Sequence, residues 1–260
     1  MLRTVQATRY VTPLREGGSL PAIIEADDLG LYVLKFRGAG QGPLALVAEL
    51  IAGEIGRALG LNVPELVLVD VDAALGRSEP DAEIRELIQA SVGLNLALDY
   101  LPGSTMFDPA AKDTADAEVA SRVVWLDAFV TNVDRTARNP NLLYWHNALY
   151  LIDHGAALYF HHNWQNVQQA ASSAFPAIRQ HVLLPWASAI GEAAAHCMGR
   201  LDRATLAEIL NQVPDPWLLP EPGIATPEAK RAAYVDYFTL RLQSSSNFVE
   251  EAIRARAGIV

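Results

Sequence analysis

One feature constrains this chain more than any other: its pattern changes near residue 100. Before that point lie five short runs rich in Val, Ile, Leu and Tyr. They are TRYVTPL (8–14), PAIIEA (21–26), LYVLKF (31–36), ELVLVDV (65–71) and VGLNLAL (92–98), each of strand length and strand composition. Between the third and fourth, Leu44, Val47, Ile51, Ile55, Ala58 and Leu59 recur at helical spacing. Pro43 suits the first turn of that helix and Gly60 its stop. A second helix is expected after Pro80, through Ile84, Leu87 and Ile88. LPGST (101–105) is turn chemistry. Residues 115–131 read as an apolar helix, and LLYW (142–145) and ALYLID (148–153) as a hairpin around His146-Asn147. Everything later reads as helical, broken at Pro185, Pro214, Pro216, Pro220 and Pro222. The expectation is an α+β chain of two lobes, a β-rich part over 1–99 and a helical part over 100–260. A ligand site is expected in the cleft between them.

Charge removes one class of function. The chain carries 20 basic and 30 acidic residues, for a net charge of −10. Residues 65–118 alone hold twelve Asp and Glu against Arg77, Arg85 and Lys112. A duplex nucleic-acid binder needs a basic face, and none is present, so no direct nucleic-acid partner is expected. The acidic stretch reads as solvated surface. No apolar run approaches the roughly 18 residues of a membrane span. MLRTVQATRY lacks the layout of a secretion signal, and Cys197 is the single cysteine, so a soluble cytoplasmic protein is expected. Cys197 reads as a small buried hydrophobe. His154, His161 and His162 lack the spacing and companions of a transition-metal site. The tryptophans Trp125, Trp145, Trp164, Trp186 and Trp217 read as packing.

Three places hold residues whose chemistry stands out. The first is Lys35, in an apolar strand where an unpaired ammonium is costly. The chain has three lysines against 17 arginines, yet keeps one here, and a compact ammonium suits a phosphate oxygen. Glu49, on the following helix, is its natural partner, because Gly53 and Gly56 let that helix approach a sheet; Glu54 competes. The second is TNVDRTARNPN (131–141), between a helix and a hairpin, where catalytic groups concentrate. Asp134 can orient a hydroxyl, Asn139 can bind a hard cation, and Arg135 and Arg138 are expected to offset the carboxylate and an incoming phosphate. Asn141, directly before the strand, is an alternative cation ligand. The third is LIDHG (151–155), which places Asp153 at the end of an apolar strand.

Strand lysine, helix glutamate, turn-rich hinge, Asp-x4-Asn loop, hairpin and Asp-x-Gly form the ordered parts of a phosphoryl-transfer site. The chain resembles the HipA-like kinases in YVLKF (32–36), AELIAGEIGRALGLNVPE (48–65), LDYLPGS (98–104), NVDRTARNPNLL (132–143) and LIDHG (151–155). The resemblance covers roughly residues 20–160 and implies a protein-kinase-like fold with ATP in the cleft. It makes Lys35 the phosphate-binding lysine paired with Glu49, Asp134 the catalytic Asp, and Asn139 and Asp153 the Mg²⁺ ligands. It makes Leu98, Asp99, Tyr100 and Leu101 the hinge that meets adenine. Gly38 and Gly40, in the loop GAGQG (38–42), are expected to offer N–H groups to phosphates. The chain departs from the family in three places. Thr136 stands where His is frequent, His154 where an aromatic is usual, and EADDLG (25–30) in place of a glycine-rich loop before Lys35. The resemblance implies a serine/threonine protein kinase, with a protein acceptor and a regulatory protein partner. A small-molecule kinase and a pseudokinase remain alternatives.

Overall fold

The computed structural model describes residues 2–14, 20–40, 42–77 and 79–259. Alternation along the third strand organises the first part of the chain. Tyr32, Leu34 and Phe36 are buried in one apolar cluster with Val5, Ile24, Val67, Val69 and Ala97. That cluster fills a closed barrel of five strands: β1 (Thr4–Pro13), β2 (Ala22–Ala26), β3 (Leu31–Lys35), β4 (Leu66–Val71) and β5 (Gly93–Asp99). Their order is β1-β2-β3-β5-β4. Neighbours are antiparallel except at the seam, where β1 meets β4 in parallel over Thr4↔Leu68, Val5↔Val69 and Gln6↔Asp70. Because successive side chains on a strand face opposite ways, Leu34 inside the barrel sends Lys35 outside it.

The outer face of β4 and β5 packs against α1 (Pro43–Ala58). Leu66, Leu96 and Leu98 join Leu50, Ile51 and Ile55 in a second, larger core. Gly53 sets how near the helix comes: a Cβ there would lie 2.9 Å from Leu66 Cδ1. The larger core continues through α3 (Ala117–Phe129) to Phe238 and Phe248 and so crosses the expected lobe boundary at residue 100. α2 (Ala82–Ala90) places Ile84 and Ile88 against the barrel interior.

After β5 the chain turns through residues 101–104. It then forms β6 (Thr105–Met106), an edge strand on the β7 (Leu142–Trp145) and β8 (Ala148–Leu151) hairpin. The turn expected over 101–105 ends inside β6, whose two residues are too few to carry a strand pattern. The hairpin turns through His146 and Asn147 at φ 49° and 61°, as a two-residue turn of matching twist requires.

The helical expectation for everything beyond the hairpin is corrected by residues 154–189. They run as short 3-10 turns with one five-residue helix, α4 (Val167–Ala171). Tyr159–His162 is one such turn. Regular helices resume with α5 (Ile190–Met198), α6 (Arg203–Leu210), α7 (Pro227–Gln243) and α8 (Ser245–Ala257). Arg241 of α7, fully buried, explains why α4 stops. Its guanidinium donates to the carbonyls of Ala171 and Ser173 at 3.0 Å each and to those of Ala128 and Phe129 at the end of α3. Carbonyls that would otherwise need more helix are met by one fork. Trp125 and Trp217 are core residues. Cys197 is buried, and burial pushes its thiol up to about 12, which makes it inert. Among the described residues no helix is long and apolar enough to cross a membrane.

Candidate active site

Lys35 ends β3 and leans toward α1. Its Nζ donates to Glu49 Oε2 at 2.6 Å and to Asp153 Oδ1 at 2.6 Å. Glu49 is wholly buried and Lys35 nearly so, while the Asp153 side chain keeps 49% of its surface exposed. Glu54 pairs instead with Arg57 one turn on. Burial works against the Glu49 carboxylate, but the Lys35 charge and the His154 contacts outweigh it and hold the pKa at about 2. Burial likewise works against the ammonium, yet Glu49 and Asp153 raise the Lys35 pKa above its ordinary value.

The Asp-x-Gly segment closes a ring on this pair. The His154 N–H donates to Glu49 Oε2 at 2.7 Å, and its ring Nδ1 lies 3.5 Å from Glu49 Oε1. His154 is fully buried. The His154 backbone thus holds the helix glutamate, with its imidazole alongside. Asp153 adopts φ 54°, a left-handed conformation uncommon outside glycine, which turns its carboxylate back toward Lys35. A Cβ at Gly155 would come 3.7 Å from Ala45, so the segment lies against the first turns of α1.

Asp134 arrives from the loop after α3. Its backbone N–H donates to Asn132 Oδ1 at 3.1 Å. Its Oδ2 accepts from Asn139 Nδ2 at 2.7 Å and from Asn141 Nδ2 at 3.3 Å. Asn141 Nδ2 is also 3.5 Å from the Asp153 carbonyl, so one amide nitrogen stands between Asp134 and Asp153. Asn141 is buried, again at positive φ, while Asn139 is exposed and faces Asp134 alone. Lys35, Glu49, Asp134, Asn139, Asn141 and Asp153 therefore form one continuous set of contacts.

Arg135 corrects an expectation. It does not face the cleft: its side chain is fully buried, with Nε donating to Asp127 Oδ2 at 2.6 Å. Its Nη1 donates to the carbonyls of Asn141 and, at 3.2 Å, Ile152. Asp127 also accepts from Asn132 Nδ2 at 3.1 Å and lies 2.8 Å from His181 Nε2. Leu183 N–H donates to His181 Nδ1, so Nε2 carries the ring proton and is the donor to Asp127. Burial opposes the Asp127 charge, but Arg135 and His181 overcome it and depress its pKa strongly. Asp127 and His181 were absent from the sequence reading. A carboxylate inside the apolar run VVWLDAFV was the available signal for the first; nothing local marks the second.

EADDLG does precede the Lys35 strand, but its carboxylates are held away from the lysine. It is the β2–β3 turn, next to Leu31, whereas Ala22 pairs with Leu34 beside Lys35. Leu31 to Lys35 spans about 13 Å along the strand, so the turn lies at the far end of it from Lys35. Asp28 is held by Arg3 and by Tyr32 Oη, and Asp27 by the Gln6 N–H. Its carboxylates therefore do not crowd the lysine. Gly38 has already committed its N–H to Ser91 Oγ at 3.0 Å, and Gly40 faces open space at φ 51°. Gln41 of that loop lies outside the described residues. In the expected hinge, the amides of Asp99 and Tyr100 donate to Glu65 and Leu31 carbonyls. Leu98 and Leu101 are buried, and the Leu101 N–H has no protein acceptor among the described residues.

The charges decide what such a site can hold. Among the described residues, the contact set holds Glu49, Asp134 and Asp153 against the one ammonium of Lys35, because Arg135 is matched by Asp127. A polyphosphate entering here is favoured by accompanying cations. The side chains of Asp153, Asn139, Asn141 and Asp134 supply hard oxygen donors, few in number and partly open. Such a set fits a magnesium-like ion that keeps waters and takes phosphate oxygens. Among the described residues no three His, Cys, Asp or Glu side chains form a closed metal cage.

Comparison with known proteins bears on the family and the fold. No curated protein matches the chain. Among solved structures it is similar to the Helicobacter pylori proinflammatory kinase CtkA, with a TM-score of 0.54 and 13% identity over 98% of both chains. It is also similar to the Golgi casein kinase with Mn/ADP bound, with a TM-score of 0.50 and 11% identity over 96% of this chain and 73% of that one. At such identities the likeness is one of fold: a β-rich kinase N-terminal region followed by a mostly helical one. The HipA-like kinase family model matches residues 8–251, nearly the whole length, and the chain belongs to that family.

Proposed function

We propose that this protein is an ATP- and Mg²⁺-dependent phosphotransferase that modifies a serine or threonine hydroxyl of a protein. The observation that carries the reading is the Lys35 ammonium, 2.6 Å from both Glu49 and Asp153, in a contact set that continues through Asn141 to Asp134. In this reading Lys35 draws the α- and β-phosphates, with Glu49 fixing its direction. Asp153, with Asn139 and Asn141, is the cation-binding set. The cation supplies neutralisation of phosphate charge. Asp134 has one carboxylate oxygen held by two amides and the other without a protein partner among the described residues. That second oxygen orients the acceptor hydroxyl. The hydroxyl oxygen bonds to the γ-phosphorus, the bond to the β–γ bridging oxygen breaks, ADP leaves, and the hydroxyl proton passes to Asp134. The Leu101 N–H is the backbone donor for the adenine edge. Kinship with a kinase solved with Mn/ADP supports the nucleotide and the divalent ion.

Thermal shift with ATP, with and without Mg²⁺, followed by radiolabelled phosphate incorporation, tests the reading. The melting temperature is expected to rise further with the nucleotide when metal is present than without it. Asp153→Asn and Asp134→Asn are expected to fold like the parent and to lose 10²-fold or more of phosphate incorporation, roughly the loss seen when a site's principal charge stabiliser is removed. Undiminished incorporation by the Asp153→Asn protein would strike Asp153 from the site. A parent that neither shifts nor incorporates label would leave a fold without the activity.

A further inference from the structure

Asp127 touches neither the cleft nor any residue assigned to nucleotide, cation or acceptor. Yet two arms run from it into that set. One carboxylate oxygen accepts from Asn132 Nδ2, and Asn132 Oδ1 accepts the backbone N–H of Asp134. The other accepts from Arg135 Nε, and Arg135 Nη1 grips the carbonyls of Asn141 and of Ile152, the residue before Asp153. Asp127 and Arg135 are fully buried, and Asn132 nearly so. Asn141 and Asp153 both hold left-handed backbone conformations that persist only where surroundings impose them. The carbonyls clamped by Arg135 are the Asn141 carbonyl itself and that of Asp153's predecessor.

We propose that Asp127 is a positioning residue, which through Asn132 and through the Arg135 fork sets the spacing of Asp134, Asn141 and Asp153. The fork is essential to the device. A guanidinium can hold a carboxylate with one nitrogen and two carbonyls with another in fixed geometry, and an ammonium cannot. The His181 ring shares the carboxylate but otherwise meets only the Leu183 N–H; its backbone, which a side-chain substitution leaves in place, bridges Thr136 of the same loop. It supplies the internal control. The inference rests on the kinase-type reading of the site.

The test measures metal binding directly. Free Mn²⁺ is titrated by electron paramagnetic resonance in the presence of ADP, and ADP affinity is measured separately in EDTA. Asp127→Asn and Arg135→Lys are expected to weaken Mn²⁺ binding by about tenfold or more, as loss of a ligand-orienting partner does. ADP affinity without metal is expected to stay within about twofold. His181→Gln keeps a donor to Asp127 and is expected to hold Mn²⁺ within about threefold of the parent. Folded Asp127→Asn and Arg135→Lys proteins that bind Mn²⁺ like the parent overturn the proposal. So does an equal loss in His181→Gln, which would make the cluster a general support. Failure of both variants to fold also counts against it, since the cluster would then serve the fold rather than the spacing. If the parent itself binds no Mn²⁺ with ADP, the kinase-type reading fails first and the positioning role falls with it.

Discussion

Lys35 and Glu49 hold each other in place, and neither is tolerable alone. Replacing Lys35 by Met leaves a buried carboxylate without its cation, a loss of about 3–5 kcal/mol. Urea unfolding at pH 7 is expected to register that loss. The double variant Lys35→Met with Glu49→Gln is expected to lose clearly less than the two singles summed, because the stranded charge is gone. Strictly additive losses would show that the ion pair contributes no coupling. This pair was legible in the sequence because an ammonium inside an apolar strand demands a partner, and only one helix lay close along the chain. Arg135 was misread for the opposite reason. In a loop of Asn, Asp and Pro an arginine reads as exposed, and its real partner, Asp127, is buried a helix turn before the loop begins. Nothing in 131–141 alone separates a cleft-facing arginine from an inward one.

At the scale of elements, the close approach of α1 to β4 is what lets the pair form. Gly53→Ala is a test with opposed terms. Alanine favours the helix by about 1 kcal/mol. Its Cβ, however, would meet Leu66 Cδ1 at 2.9 Å in a core that has little room to move. Overpacking costs of about 1–3 kcal/mol are expected to win. The variant should unfold at lower urea and show a raised KM for ATP as Glu49 is pushed from Lys35; a stabilised variant with unchanged KM would mean that Leu66 simply swings aside. Helices α1, α2 and α3 and the barrel strands were readable from their apolar composition and spacing, though β1 begins at Thr4, four residues before the run that marked it. Residues 154–189 were not. Their buried Phe160, Ala171, Phe175 and Ile178 follow no single period, and their carbonyls are satisfied by a side chain some 70 residues away, Arg241. Composition rich in Gln and Ala invites a helix that long-range hydrogen bonding ends.

For the molecule as a whole, acid sensitivity is built into the helical part. His161 is buried with its Nδ1 3.0 Å from Tyr234 Oη, and burial, helped by His162 and Lys230, pushes its pKa down to about 3. An unfolded histidine titrates near 6.5. Between those values the unfolded chain takes up a proton that the fold refuses. Stability is therefore complete above pH 6.5 and falls as the pH drops toward 3, by up to about 1.4 kcal/mol per unit. His161→Gln removes that titration. Its stability measured at pH 7, 6 and 5 is expected to fall less steeply than the parent's, and parallel slopes would exclude His161 as a source of acid sensitivity. Glu49, with its pKa held at about 2, adds a second loss that begins as the pH enters the ordinary carboxylate range, where the unfolded chain protonates, and is complete near 2.

The parallel seam between β1 and β4 carries a consequence for synthesis. A ribosome delivers residues 4–13 first, and the strand that completes their hydrogen bonding, residues 66–71, follows more than fifty residues later. Until then the outer edge of the first hairpin stays unpaired, a template on which a neighbouring nascent chain can add a strand. The barrel that hides this edge in the finished protein cannot hide it during translation.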